Sequence, residues 1–155
     1  ARLGNHLAGR PAMTAVDDAA YRLRLAEDLL ARARRVAAVD APSGAMLARA
    51  AIENAAKAVL ACFTSVARSH EPEKLLAEAL AHEEFPAALG ARARALVPHL
   101  ASYGAQTHAQ TAYGDEVKHR LPSEIIGDPE ASAALCVADD AVALARDVHG
   151  AVFGG

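Results

Sequence analysis

Apolar residues recur three and four positions apart along most of the chain, which is the spacing of a packed helical face. The pattern predicts a first helix from Thr14 to about Val39, with Thr14 and Asp17 in the positions of a capping box. Its apolar stripe consists of Val16, Ala19, Ala20, Leu23, Ala26, Leu30, Ala33 and Ala37. Asp40 ends this helix, and Ser43 is expected to cap the next one.

The second helix has an apolar stripe on one face and a ladder of opposite charges on another. The apolar stripe consists of Ile52, Ala55, Ala56, Val59, Phe63 and Val66. Arg49, Glu53 and Lys57 stand four residues apart, so that each acid faces a base on the helix surface. Such a ladder is typical of a face turned toward solvent or toward an interface, and its spacing leaves both interpretations open.

Three further helices follow, and a polar segment separates the last two. A short helix is expected over residues 73–81, and another begins near Pro86 and includes Leu89, Leu96, Leu100 and Tyr103. The segment 104–128 has no apolar stripe and is expected to be a long loop with one helical turn at most. Asp128 opens the last helix, which packs through Ala134, Val137, Ala141, Leu144 and Val148.

The predicted fold class is all-α, an up-and-down bundle of four or five helices over residues 14–151, with residues 1–13 as a lead-in. The composition agrees with this fold. The chain of 155 residues contains 41 alanines, the best helix formers, and only 4% aromatic residues. A β-sandwich would need more β-branched and aromatic side chains. The length corresponds to one domain.

The charge and the cysteines exclude several classes of protein. A net charge of −3 gives no general attraction to nucleic acid or to anionic membranes. No apolar run approaches the ~20 residues of a membrane span. Cys62 and Cys136 form no disulfide framework, and both are expected to be buried in their alanine-rich helices. The lead-in lacks the apolar core of a secretory signal, so a reducing, cytoplasmic location is expected.

Metal chemistry has weak support in the sequence. A di-iron helical bundle needs two copies of a Glu-x-x-His motif on long helices. Only Glu116 and His119 have this spacing, and they lie in the polar segment. We therefore expect no metal site and no cofactor.

Two histidine settings are candidate sites. In the first, Arg92 and Arg94 precede His99 with six and four residues between. A histidine can move protons near neutral pH, and an arginine can hold a phosphate and stabilise its developing charge, so this pair suits RNA cleavage. The alternative is a pair of surface arginines with a histidine that packs between helices.

The second setting lies in the polar segment after Tyr113. Lys118, His119 and Arg120 are consecutive basic residues that are suited to a phosphate, and Tyr113 is suited to stack on a base. The alternative is a solvated loop without a ligand.

The order of several short segments resembles the HEPN domain family, named for higher eukaryotes and prokaryotes nucleotide-binding domains. The resemblance covers residues 14–151. Glu53 and Lys57 in the second helix, and His70 before the short helix, coincide with the family's Glu, Lys and His. Tyr103, Tyr113 and Asp115 coincide with its later tyrosine and acidic positions.

The resemblance implies a helical bundle that forms a homodimer and binds a nucleotide or RNA, with Asp115 among the binding residues. Many such proteins are encoded beside a minimal nucleotidyltransferase, as toxin–antitoxin-like pairs. Some are metal-independent endoribonucleases that use an Arg-x4–6-His motif, which Arg92 or Arg94 would form with His99. This chain departs from the active pattern at Ala95, where the family prefers a polar residue, and at Pro98 inside the motif.

Three functions therefore remain open. The first is a cytoplasmic dimer that binds nucleotide or RNA through Tyr113, Asp115, Lys118, His119 and Arg120. The second is an active endoribonuclease toxin, and the third is a helical interaction module without a ligand site. The endoribonuclease requires that the arginine and the histidine face one cleft, whereas the interaction module predicts that the basic residues scatter over separate surfaces.

Overall fold

The computed structural model describes residues 14–154 and confirms the all-α bundle. In chain order its helices are α1 (Ala15–Ala37), α2 (Ala41–Ala61), α3 (Pro72–Leu80), α4 (Ala87–Leu100), α5 (Ala105–Tyr113), α6 (Pro122–Ile125) and α7 (Asp128–Phe153). A 3-10 turn, Ala101–Tyr103, follows α4. The described part of the chain has no β-strand, and its one isolated bridge joins Asp115 to Arg120. The lead-in predicted for residues 1–13 lies outside the described residues.

The helix starts were predicted with mixed success. The hydroxyl oxygen of Thr14 accepts the backbone N–H of Asp17 at 3.2 Å, as the capping pattern predicts. The cap of α2 was predicted wrongly, because Asp40 and not Ser43 occupies the capping position. The Asp40 carboxylate accepts the backbone N–H of Ser43 at 3.3 Å, so the chain starts α2 three residues earlier than expected.

Helices α1, α2 and α7 pack against one another and form the centre of the bundle, and α3 and α4 pack at its side. The core consists mainly of alanines, with a few larger fully buried side chains that include Ile52, Leu60, Leu76, Val142 and Leu144. Alanine side chains project little from a helix, so the three central helices lie close together. α2 is the most deeply buried helix, which leaves few of its side chains in contact with water.

The prediction of a long loop over residues 104–128 was wrong. The nine-residue helix α5 and the single turn α6 occupy much of this segment. Pattern reading missed α5 because the residues that it turns toward the bundle are threonines. Thr107 is half-buried and Thr111 is buried, four positions apart on one face. The hydroxyl of Thr111 donates to the carbonyl of Thr107 at 3.0 Å, which satisfies the buried polar group.

The two cysteines differ in their surroundings. Cys62 follows α2 and is half-buried, whereas Cys136 is exposed on α7, so burial was predicted wrongly for Cys136. Burial raises the pKa of the Cys62 thiol to about 11.

Within residues 14–154, no helix combines the length and the apolar character needed to cross a bilayer.

Candidate functional site

The charge ladder of α2 is buried in the protein and does not face solvent. Arg49 and Glu53 are only 6% and 5% exposed. The Arg49 guanidinium donates to one oxygen of the Glu53 carboxylate at 2.9 Å, and the Lys57 ammonium donates to the other at 2.8 Å. The interpretation as a solvent-facing ladder was therefore wrong. Other helices of the bundle pack around α2, among them α3, α5 and α7.

His70 adds a fourth side chain to this group. Its Nδ1 lies 3.2 Å from each carboxylate oxygen of Glu53. An ionised carboxylate only accepts hydrogen bonds, so Nδ1 donates and carries the ring proton. The side chain of His70 is 69% exposed, in contrast to the Glu53 side chain beneath it. We name Arg49, Glu53, Lys57 and His70 the Glu53 cluster.

A second imidazole lies beside His70 of the Glu53 cluster. The ring of His108, from α5, is parallel to the ring of His70, with 6.2 Å between ring centres and 6° between ring planes. His108 is exposed. One ring therefore comes from the segment before α3 and the other from α5, although the two residues are far apart in the sequence.

Electrostatics hold Glu53 in its charged form. Burial acts to raise the pKa of its carboxyl group, because it removes water from the anion. Hydrogen bonds from Lys57, Arg49 and His70, together with the charge of Lys57, outweigh burial and lower the pKa below its ordinary value of 4.5. One anion thus faces two permanent cations. Nε of Arg49 is buried and has no hydrogen-bond partner among the described residues.

The structure brings together two of the three residues of the first candidate site, Arg92 and His99. Arg92 and His99 line one cavity of about 340 Å³, together with Ala95 and Leu96 of α4 and Asp140 of α7. Residues seven apart lie two helical turns from each other on nearly the same face, which explains why both side chains reach this cavity. The Arg92 guanidinium pairs with Asp147 of α7.

Arg94 does not line this cavity. It is five residues from His99, so α4 turns the two side chains in different directions. The Arg94 guanidinium instead lies back along the helix, where a Cβ built on Gly90 would be 3.1 Å from it. Of the two predicted arginines, only Arg92 shares a cavity with His99.

The second predicted setting is a tight turn that follows α5. The backbone N–H groups of Asp115 and Arg120 each donate to the other residue's carbonyl, at 2.8 and 2.9 Å. Gly114 enters the turn with a φ of 73°, and a Cβ there would lie 2.1 Å from the Arg120 carbonyl oxygen, so only glycine fits. His119 also has positive φ, 52°. These features give the turn one defined shape.

The candidate phosphate-binding residues of this turn are exposed. Lys118, His119 and Arg120 all face solvent, and Tyr113 is 66% exposed at the end of α5. No carboxylate among the described residues lies within ion-pair distance of these three bases. Asp115 has a structural part, because its carboxylate accepts the backbone N–H of Lys118 at 3.0 Å.

Among residues 14–154, no three histidine, cysteine, aspartate or glutamate side chains come together in a way that suits a metal ion.

Compared with known proteins, the chain matches no family model, no curated protein sequence and no solved structure.

Sequence reasoning did not identify the pair of His70 and His108. It noted Glu53, Lys57 and His70 only as positions of a resemblance, and it placed His108 in a loop. The two contacts that form the group join residues 17 and 38 positions apart, from Glu53 to His70 and from His70 to His108. No spacing rule connects residues at such separations, so the periodicity of the sequence does not indicate that these side chains meet.

Proposed function

We propose that this protein binds RNA or a nucleotide through the basic turn after α5. One observation supports this function above the others. Lys118, His119 and Arg120 are consecutive, exposed and free of carboxylate partners among the described residues, so their positive charge is open to a phosphate. The defined backbone of the turn fixes the positions of the Cα atoms from which these side chains extend.

Tyr113 supports RNA as the ligand. Its ring is largely exposed at the end of α5, directly before the turn. Proteins that recognise single-stranded RNA stack unpaired bases on exposed aromatic rings, while nearby cations hold the phosphates. The net charge of −3 limits such binding to this local patch, because the molecule as a whole does not attract polyanions.

The same proposal includes the assembly expected from the HEPN resemblance. We place the protein in the cytoplasm as a homodimer, in a toxin–antitoxin-like pair with a minimal nucleotidyltransferase. The resemblance supports these assignments, and analytical ultracentrifugation with and without such a partner tests them.

The binding test uses a fluorescein-labelled single-stranded RNA and measures anisotropy at several salt concentrations. Lys118→Ala and Arg120→Ala are each expected to weaken binding and to reduce the slope of log K against log salt by about 0.7, the value for one phosphate contact on a single strand. Lys74→Ala, which removes an exposed lysine of α3, is the matched control and should change neither quantity. Equal affinities for all four proteins would place the site elsewhere.

A second candidate function is metal-independent RNA cleavage at the α4 cavity, favoured by the shared position of Arg92 and His99. Asp140 lines the cavity, and Asp147 pairs with Arg92. The negative charges of these two carboxylates repel a phosphate. We therefore rank this function second. Cleavage of RNA in EDTA by the wild type, and its loss in His99→Ala with unchanged helicity, would establish it. Retained cleavage in His99→Ala would remove His99 from the mechanism.

A further inference from the structure

We infer that His70 and His108 form an acid–base centre that cleaves the phosphodiester backbone of bound RNA. Its substrate would be the RNA of the proposed function, on which this inference rests. The centre is distinct from the α4 cavity of Arg92 and His99, and it has the composition that metal-free RNA cleavage requires: one proton acceptor, one proton donor and nearby positive charge.

His70 has the arrangement of a general base. Glu53 accepts the proton-bearing Nδ1, which fixes the tautomer and the orientation of the ring. The other nitrogen, Nε2, is then directed away from the buried carboxylate and has its lone pair free. The side chain is 69% exposed, so Nε2 can reach a substrate hydroxyl. A carboxylate behind an imidazole also stabilises the imidazolium that forms when the base takes a proton.

His108 supplies the second proton-transfer group. Its ring is parallel to that of His70, at 6.2 Å between ring centres, and both rings are exposed. A phosphate group placed between the rings would form one hydrogen bond of about 2.8 Å with each of them, through two of its oxygens. The separation of the two rings is of the order that such a phosphate requires. An imidazole can either accept or donate a proton, so two neighbouring rings can supply a base and an acid.

The reaction balances without any further reactant. Nε2 of His70 takes the proton of a ribose 2′-hydroxyl, and the 2′-oxygen forms a bond to phosphorus. The bond from phosphorus to the 5′-oxygen breaks at the same time, and the imidazolium of His108 gives its proton to that oxygen. The products are a 2′,3′-cyclic phosphate and a 5′-hydroxyl end. Proton transfer back from His70 to His108, through water, completes the cycle.

Charged groups of both signs surround the two rings. On α2, Arg49 and Lys57 together exceed the single negative charge of Glu53 by one. Lys57 donates to the same carboxylate that holds His70, so a positive charge lies close to the proposed base. The segment before α3 also contributes Glu71, whose carboxylate lies against Gly104 at the start of α5. That position places the anion of Glu71 at a helix N-terminus.

The test compares His70→Gln and His108→Gln with the control Lys74→Ala, which removes an exposed side chain of α3. His99→Gln is measured beside them and reports on the α4 cavity. Two readouts keep binding apart from chemistry. Anisotropy with a 2′-O-methyl RNA, which lacks the attacking hydroxyl, measures binding alone. Gel analysis of ordinary RNA in EDTA measures cleavage and identifies the cyclic phosphate ends. Urea unfolding of each variant checks that the fold is intact.

We expect His70→Gln and His108→Gln each to reduce cleavage by about 100-fold or more, with binding of the 2′-O-methyl RNA unchanged within about twofold. The wild type should show a bell-shaped dependence of the cleavage rate on pH, and each variant should lose one limb of it. Lys74→Ala should cleave like the wild type.

Three results would overturn the inference. Binding without cleavage by the wild type would show that the centre is inactive, and cleavage that survives both substitutions would exclude the two rings. Cleavage lost only in His99→Gln would assign the chemistry to the α4 cavity. Absence of binding to the 2′-O-methyl RNA is a separate result, and it would overturn the proposed function itself.

Discussion

Gly44 of α2 lies so close to Ala37 of α1 that a Cβ built on the glycine would be 2.5 Å from the Ala37 Cα. Backbone atoms cannot move aside as the end of a flexible side chain can. The contact between α1 and α2 therefore requires a residue without a side chain at this point. This contact shows how far small residues, rather than large apolar ones, determine the spacing of the helices.

Gly44→Ala should destabilise the protein by about 1–3 kcal/mol, because overpacking outweighs the higher helix propensity of alanine. Gly150→Ala is the matched control, since a Cβ at this position of α7 meets nothing within 4 Å. It should stabilise the helix by roughly 0.5–1 kcal/mol. Urea unfolding measures both free energies. A stabilising Gly44→Ala would mean that α1 and α2 separate without cost.

Glu53→Gln should be strongly destabilising, because it leaves Arg49 and Lys57 in a buried site without their counter-charge. Removal of one partner from a buried ion pair costs about 3–5 kcal/mol. The control is Asp28→Asn, which breaks the exposed pair of Asp28 with Arg32 on α1 and should cost less than about 1 kcal/mol. Similar unfolding free energies for the two variants would contradict the burial of the Glu53 cluster.

The same carboxylate makes stability depend on pH in a predictable direction. The fold lowers the pKa of Glu53 below 4.5, so the unfolded chain binds a proton that the folded protein releases. Its stabilisation is complete above about pH 4.5 and is lost as the pH falls through the lowered pKa. The difference in unfolding free energy between wild type and Glu53→Gln should therefore shrink below that pH. Other carboxylates cancel in this difference, and a constant value down to about pH 3 would be the contrary result.

The two cysteines should react at different rates. Burial raises the pKa of Cys62 to about 11, so only about one thiol in a thousand is ionised at pH 8. Cys136 is exposed on α7. Iodoacetamide should modify Cys136 roughly tenfold faster or more, as followed by intact mass and peptide mapping. The variant Cys62→Ser should keep the fast reaction unchanged, whereas loss of the fast reaction in that variant would reverse the assignment.

The central helices were predictable because their apolar residues repeat every three or four positions, as a packed helical face requires. The observed range of α1, Ala15–Ala37, differs from the predicted one by two residues at most. Helix α5 was not predictable in this way, since Thr107 and Thr111 form its inner face and polar residues give no hydropathy signal. Only the tertiary structure shows that these hydroxyls find partners within their own helix.

The candidate sites also differ in how far the sequence could predict them. Arg92 and His99 are seven residues apart, so helix geometry alone predicts a shared face, and it also separates Arg94 from His99. Burial of Arg49 and Glu53 could not be predicted, because a ladder of charges four apart has the same spacing on an exposed helix and on a covered one. The cover comes from His70 and from other helices of the bundle, at sequence separations where no periodicity operates.

Helix α5 buries little of its surface against the bundle, and this affects how the molecule fluctuates. Thr111 is its one buried residue, so little apolar contact holds this helix in place, and its amide protons should exchange with solvent well before those of α2. When α5 lifts, water reaches the charges beneath it while the alanine core stays closed. The ring of His108 moves with the helix and leaves His70 behind, so a brief local opening would separate the two imidazoles without unfolding the bundle.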